Sequence, residues 1–298
     1  MNRAISNIFM RELQSGKLQP IMSIIKNDIS LDLELRGEEV IIYYKGLKIL
    51  TITEQKNGNF KYKGLDQKYS RRKNGLEPML PTWNSEKSND YFMQVKTIID
   101  TYDMKSFWEY EIKQIVVREN NTSPNADDTD FWVIDTEYQN DEGNQFDIVA
   151  LHLDSSSGAR RNGRASIAII EIKQGVNTLF TSDDNPGIRR HLEDFRSHLK
   201  VPERKNAFIH DMKLVFEQKY KLGIINGLND NVVERLNMSD EVEFYILLAN
   251  YKKTSTKLIK ELNSFSEDCQ FLTSFFTGYG LYSHSIKNKE EIVKLLSY

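Results

Sequence analysis

The chain has 298 residues, 39% hydrophobic and 28% charged, enough for one large domain or two ordinary ones with buried cores. Its net charge of −3 excludes a wholly basic nucleic-acid binder, although a local basic surface is enough to hold phosphates. Apolar runs of about eighteen residues are absent, the amino-terminal stretch has no signal-peptide core, and the single Cys269 can form no internal disulfide, so a cytoplasmic protein without a membrane helix is expected.

One helix is predicted at the amino terminus. Residues 30–36 then alternate, with Leu31, Leu33 and Leu35 on one side, the period of a half-buried strand. Residues 40–44 and 48–53 are β-branched or aromatic runs around the break at Lys45-Gly46, and Asn57-Gly58 is a hairpin signal before 60–62. Together they predict a small antiparallel β-rich unit over 1–85. Residues 65–88 read as a polar linker with a basic cluster, Lys68, Arg71, Arg72 and Lys73.

The remainder, 86–298, reads as a second unit. Phe92, Val95 and Ile99 recur at helical spacing, as do Trp108, Ile112, Ile115 and Val116. Pro124 and several Asn and Asp residues break the pattern over 120–130. Three strands are predicted at 131–138, 146–153 and 166–173, the last two joined by a polar loop. Helices at about 187–200 and 203–222, a strand at 243–249 and a helix at 256–264 follow. The fold class is α/β, a mixed central sheet flanked by helices.

The chemistry sits on two of these strands. In the run Ile167 to Lys173, side chains alternate faces, so Ile167, Ile169, Glu171 and Lys173 share one face and Ala168, Ile170 and Ile172 the other. A carboxylate and an ammonium ending an apolar, central strand are costly to bury unless they are paired or bind a metal. Asp147 opens the preceding strand on the face of Val149 and Leu151. A hairpin between the two strands brings Asp147 to Glu171 and Lys173. Two carboxylates suit a hard divalent cation such as Mg2+ (or Mn2+), which keeps several waters. Lys173 can orient water or offset charge developing on phosphorus.

This order of elements, with Asp147 followed by Glu171-x-Lys173, resembles the PD-(D/E)XK, restriction-endonuclease-like nucleases over roughly residues 89–250. The resemblance implies that Asp147 and Glu171 hold magnesium and that Lys173 assists phosphodiester hydrolysis. Gln174 stands where some members carry a functional polar residue. It also implies nucleic acid as partner, DNA before RNA, with no membrane, and it allows a homodimer. Phe146 replaces the proline before the acid. The spacing from Asp147 to Glu171 is longer than in compact members. Many members carry a glutamate on the first core helix; Glu109 and Glu111 are the candidates, with Glu111 preferred beside Trp108 and Ile115.

Further candidates are weaker. Val133, Asp135 and Glu137 share one strand face, so Glu137, and less so Asp135, could extend the metal site. Arg160, Arg161 and Arg164 in the polar loop, and Arg189 and Arg190 at a helix start, are candidate phosphate contacts. The histidines form no zinc motif, and His191 and His198 read as ordinary partly exposed residues. The opposing expectation is a nuclease-like scaffold that has lost activity and binds nucleic acid or protein.

Overall fold

The structure is a computed structural model and describes residues 3–66, 80–101, 108–140, 143, 145–154, 157–174, 187–250, 254–264, 269–273 and 278–296. The basic cluster of Lys68, Arg71, Arg72 and Lys73 lies outside the described residues. None of the described helices is long and apolar enough to cross a membrane.

Two helices, α1 (Asn7–Ser15) and α2 (Gln19–Asn27), open the chain where one is predicted. Ser6 accepts the Phe9 N–H and starts the first helix, and Pro20 stands in the first turn of the second, where no backbone donor is needed. The meander follows as predicted: β1 (Leu31–Arg36), β2 (Glu39–Tyr44), β3 (Leu47–Glu54) and β4 (Phe60–Gly64) form an antiparallel sheet in sequence order.

Helices α3 (Ser88–Asp100) and α4 (Trp108–Val117) come next. The β2–β3 turn presses on α4. A Cβ at Gly46, whose φ is +74°, would lie 2.2 Å from the Tyr110 Cβ, so neither the conformation nor the space admits a side chain. Gln114 ties the same helix down, accepting the Gly46 N–H at 2.8 Å and donating to Ser30 O at 2.7 Å. The predicted break at 120–130 is an ordered crossing. Asn121 exchanges two 2.8 Å hydrogen bonds with the backbone of Val133, as a neighbouring strand would.

The second sheet has the order β5-β6-β7-β8-β9: β5 (Phe131–Gln139), β6 (Gln145–His152), β7 (Arg164–Gln174), β8 (Asn237–Ala249) and β9 (Gln270–Thr273). β6 runs antiparallel to both its neighbours, β5 and β7, and the last two strands join in parallel. The molecule is thus α/β, an antiparallel four-stranded sheet beside a mixed five-stranded one flanked by helices. The predicted polar loop between β6 and β7 contains a short helix, α5 (Ser157–Asn162). Helices α6 (Ile188–Leu199), α7 (Pro202–Lys221) and α8 (Asp230–Glu234) span the crossover to β8; α9 (Thr256–Ser264) and α10 (Lys289–Leu296) flank β9.

Strand alternation sorts the core. Ile167 and Ile169 of β7 join an apolar cluster that runs through Val149, Trp132, Phe216 of α7 and Phe9 of α1 to Leu33 and Ile42 of the small sheet. Ala168, Ile170 and Ile172 face the other way and pack with Ile112 and Val116 of α4. Each fully buried large aliphatic side chain contributes about 1.5–3 kcal/mol. The first cluster is shared by the amino-terminal unit and the large sheet, so apolar burial bonds the two together.

A buried charge cluster crosses the same boundary. Arg36 pairs with Asp135 and lies 3.4 Å from Glu34, Lys219 of α7 lies 2.9 Å from Glu34, and Arg3 Nε stands 3.6 Å from Asp135. Burial, opposed by Lys219, pushes the Glu34 carboxyl up to about 8.

Candidate active site

At the end of the β6–β7 ladder the last paired residues are Ile148 and Ile170, which sets Asp147 and Glu171 opposite each other one step further on. Like charges directly opposite each other on a sheet repel. Both acids are almost fully buried, as is Lys173. They line a cavity of about 390 Å3 together with Glu109, Lys113, Glu137, Gln174, Arg190, His191 and Asp194.

The electrostatics separate the two facing acids. Asp147 accepts the Ile172 N–H at 2.8 Å on one oxygen and meets Lys113 Nζ at 2.7 Å on the other. Burial opposes its ionisation, but Lys113 overcomes this and holds the carboxyl below its ordinary range. Glu171 is pushed up to about 7, by burial first and by the Asp147 charge second. Lys173 Nζ lies 3.4 Å from Glu171 Oε2. The other oxygen, Oε1, stands 3.2 Å from His191 Nδ1, within ion-pair distance, and has no further hydrogen-bonded partner. A buried carboxylate oxygen with so few partners costs free energy in a dry interior and can take a further donor or a cation.

Lys113, from the middle of α4, is the residue that sequence reasoning missed. It is 5% exposed and pairs with Glu137, with Asp147 and, at 3.7 Å, with Glu109. Burial works against its charge, yet Asp147 and Glu137 raise its pKa well above the ordinary lysine range. Nothing in the local sequence marks it, since Glu109 and Lys113 look like any solvent-exposed helical pair four residues apart.

The other expectations divide. Glu137 reaches the cavity, but not by regular alternation with Asp135. A bulge between Val133 and Asp135 breaks the β5 pattern, and Glu137 has a left-handed φ of +56°. Val133 therefore packs against the α4 side, while Asp135 is spent on Arg3 and Arg36. On α4 the helical phase selects Glu109 for the cavity rather than Glu111, whose charge bears on Tyr44. Gln174 and Arg190 line the cavity; Arg189 does not and is exposed on α6.

Arg160, Arg161 and Arg164 stand at the opposite end of the sheet. Arg164 opens β7 and Lys173 nearly closes it, a span of about 30 Å at the usual strand rise of ~3.3 Å. Arg160 donates to Asp127 O and Thr129 O and lies over the Trp132 ring. These arginines cannot share a phosphate with the cavity. His191 is partly exposed as read and lines the cavity, whereas His198, read the same way, is buried beside Asn140 at 2.9 Å.

Does a divalent cation fit? Among the described residues no group of three or more His, Cys, Asp or Glu side chains is arranged to hold a metal ion. Magnesium needs only one or two carboxylates, and Asp147 and Glu171 meet that requirement. Acids also outnumber cations around the cavity, with Glu109, Glu137, Asp147, Glu171 and Asp194 against Lys113, Lys173 and Arg190. Two unit charges 4 Å apart interact by about 4 kcal/mol at an effective dielectric of 20, and a divalent ion doubles this. A metal on Asp147 and an ammonium on the same oxygen therefore oppose each other.

Comparison of the chain with protein-family models, with curated proteins and with solved structures finds no significant match.

Proposed function

We propose that this cavity is the active site of a divalent-metal-dependent nuclease with a restriction-endonuclease-like core, hydrolysing phosphodiester bonds in nucleic acid, DNA before RNA. The observation that carries the reading is the convergence of Asp147, Glu171 and Lys173 in one polar cavity at the end of a central strand. The sheet order supports it, with an antiparallel hairpin bearing the acids followed by a parallel crossover. Fold alone does not specify chemistry, so the weight rests on these side chains.

In this reading Asp147 and Glu171 hold Mg2+ or Mn2+, and the ion supplies positive charge for the phosphoryl oxygens and acidifies water. The remaining work belongs to the chain. Lys173, fixed beside Glu171, orients the attacking water and offsets the negative charge that builds on phosphorus as the water oxygen bonds to it and the ester P–O bond breaks. Gln174 and Arg190 at the cavity edge position the phosphate. Purified protein with Mg2+ and supercoiled plasmid DNA tests the assignment. Cleavage is expected from the wild type and is lost with Asp147→Asn and with Lys173→Ala; full cleavage by both variants sinks it.

One observation favours a second reading, a nuclease-like scaffold that binds without cutting. Lys113 already neutralises Asp147, as a retired metal site would require. Calorimetric titration with Mn2+ separates the two, since metal binding that is lost in Asp147→Asn belongs to the nuclease.

A further inference from the structure

We infer that Lys113 is a tethered cation that occupies the metal-facing oxygen of Asp147 and must withdraw toward Glu109 before a divalent ion can bind. The inference rests on the metal site proposed above.

The placement is specific. Asp147 has two oxygens; one is committed to the Ile172 N–H, and Lys113 Nζ takes the other at 2.7 Å. Glu137 grips the same ammonium, and Glu109 lies 3.7 Å away on the solvent side, with about half its side-chain surface exposed. One ammonium thus stands among three carboxylates in a cavity where the acids outnumber the cations, the position that a free cation would seek. Without it, Asp147 and Glu171 would face each other with no cation on the outer oxygen of Asp147.

The same neighbours give the ammonium somewhere to go. The lysine stem has four rotatable carbons and carries a compact point charge. Glu109 is one helical turn back on the same face of α4, and the Tyr110 ring lies 4.9 Å from Nζ, close enough for cation–π attraction. Moving outward, Lys113 exchanges Asp147 for Glu109 and solvent and remains beside an acid throughout. By contrast, Lys219 in the closed cluster is 1% exposed and faces Glu34, which is itself fully buried. That ammonium has no such exit.

Mn2+ binding, read by electron paramagnetic resonance of the free ion, tests the inference without any cleavage assay. In Lys113→Met the Mn2+ dissociation constant is expected to fall about tenfold or more. The charge-balanced pair Glu137→Gln and Lys113→Met/Glu137→Gln is expected to show the same gain, and it guards against unfolding caused by three acids left without their cation. If the methionine variants do not fold, the Lys113 side-chain NMR resonance of the wild type, assigned by its loss in Lys113→Arg, is expected to shift on saturation with Mg2+. Mn2+ binding that depends on Asp147 but is unchanged or weaker without Lys113, or a resonance indifferent to Mg2+, overturns the tethered-cation role and leaves the metal site standing. Absence of Mn2+ binding from the wild type and every variant overturns both.

Discussion

Asp135 and Glu137 stand two residues apart on β5 and end in opposite situations. Asp135 enters a closed cluster in which Asp32, Glu34 and Asp135 are matched by Arg3, Arg36 and Lys219 beneath the amino-terminal sheet. Glu137 enters an open cluster, where acids outnumber cations around a cavity of about 390 Å3. Both clusters are built from the same residue types, carboxylates with lysine and arginine. What differs is the balance of charge and the access to solvent. A balanced, sealed cluster joins two parts of a fold, whereas an unbalanced one facing a cavity has residual affinity for something else.

The largest expected effect breaks the closed cluster. Lys219→Met leaves Glu34 buried without its ammonium and should lower unfolding free energy by about 3–5 kcal/mol, measured by urea denaturation. A loss below about 1 kcal/mol would mean that the cluster does not join the units. The open cluster should respond in activity. Asp147→Asn and Lys173→Ala are each expected to reduce Mg2+-dependent cleavage by about a hundredfold to a thousandfold, the range for losing one group that stabilises a transition state.

A pH series tests the open cluster through Glu171 alone when wild type and a Glu171 variant are compared. Glu34 of the closed cluster, raised to about 8, titrates in the same direction in both. Glu171 is raised from 4.5 to about 7, so the folded state binds more protons than the unfolded one between those values. The stability it contributes is complete below about pH 4.5 and is lost as pH rises through 7. In metal-free buffer, Glu171→Gln should remove that decline and be the more stable protein at pH 8, by up to about 3 kcal/mol. Thermal melts across the range would show it, and a curve parallel to wild type would contradict the shift. The smallest effect sharpens the choice of helix acid. Glu111→Gln, off the cavity, should change stability by less than about 0.5 kcal/mol, with cleavage and Mn2+ binding unaltered.

Much of the frame was legible locally. The meander followed from alternation and from Asn57-Gly58, where Gly58 adopts φ +75°. The two faces of β7 followed from the strand period, and so did the approach of Asp147 to Glu171 once an antiparallel hairpin was assumed. Local pattern failed where geometry departs from its ideal period. The bulge near Ile134 and the left-handed Glu137 reassign two acids that a regular strand would place together. Arg160 read as a loop residue free to grip phosphate; it belongs to a short helix and is engaged with Trp132 and the backbone before β5.

By itself, then, the chain order of apolar and polar residues determined the strands β1 to β8, the faces they bury and which two carry Asp147 and Glu171, because burial acts with the period of each element, while the short β9 was not predicted. Only the tertiary structure decided that Glu109 rather than Glu111 meets the cavity, that Asp135 is enclosed while Glu137 is open, and that Lys113 lies against Asp147. Those outcomes depend on the rotation of α4 about its axis and on its docking against the end of β6. That rotation is set by contacts with distant parts of the chain, Gly46 against Tyr110 and Gln114 with Gly46 and Ser30, and not by the local pattern of the helix.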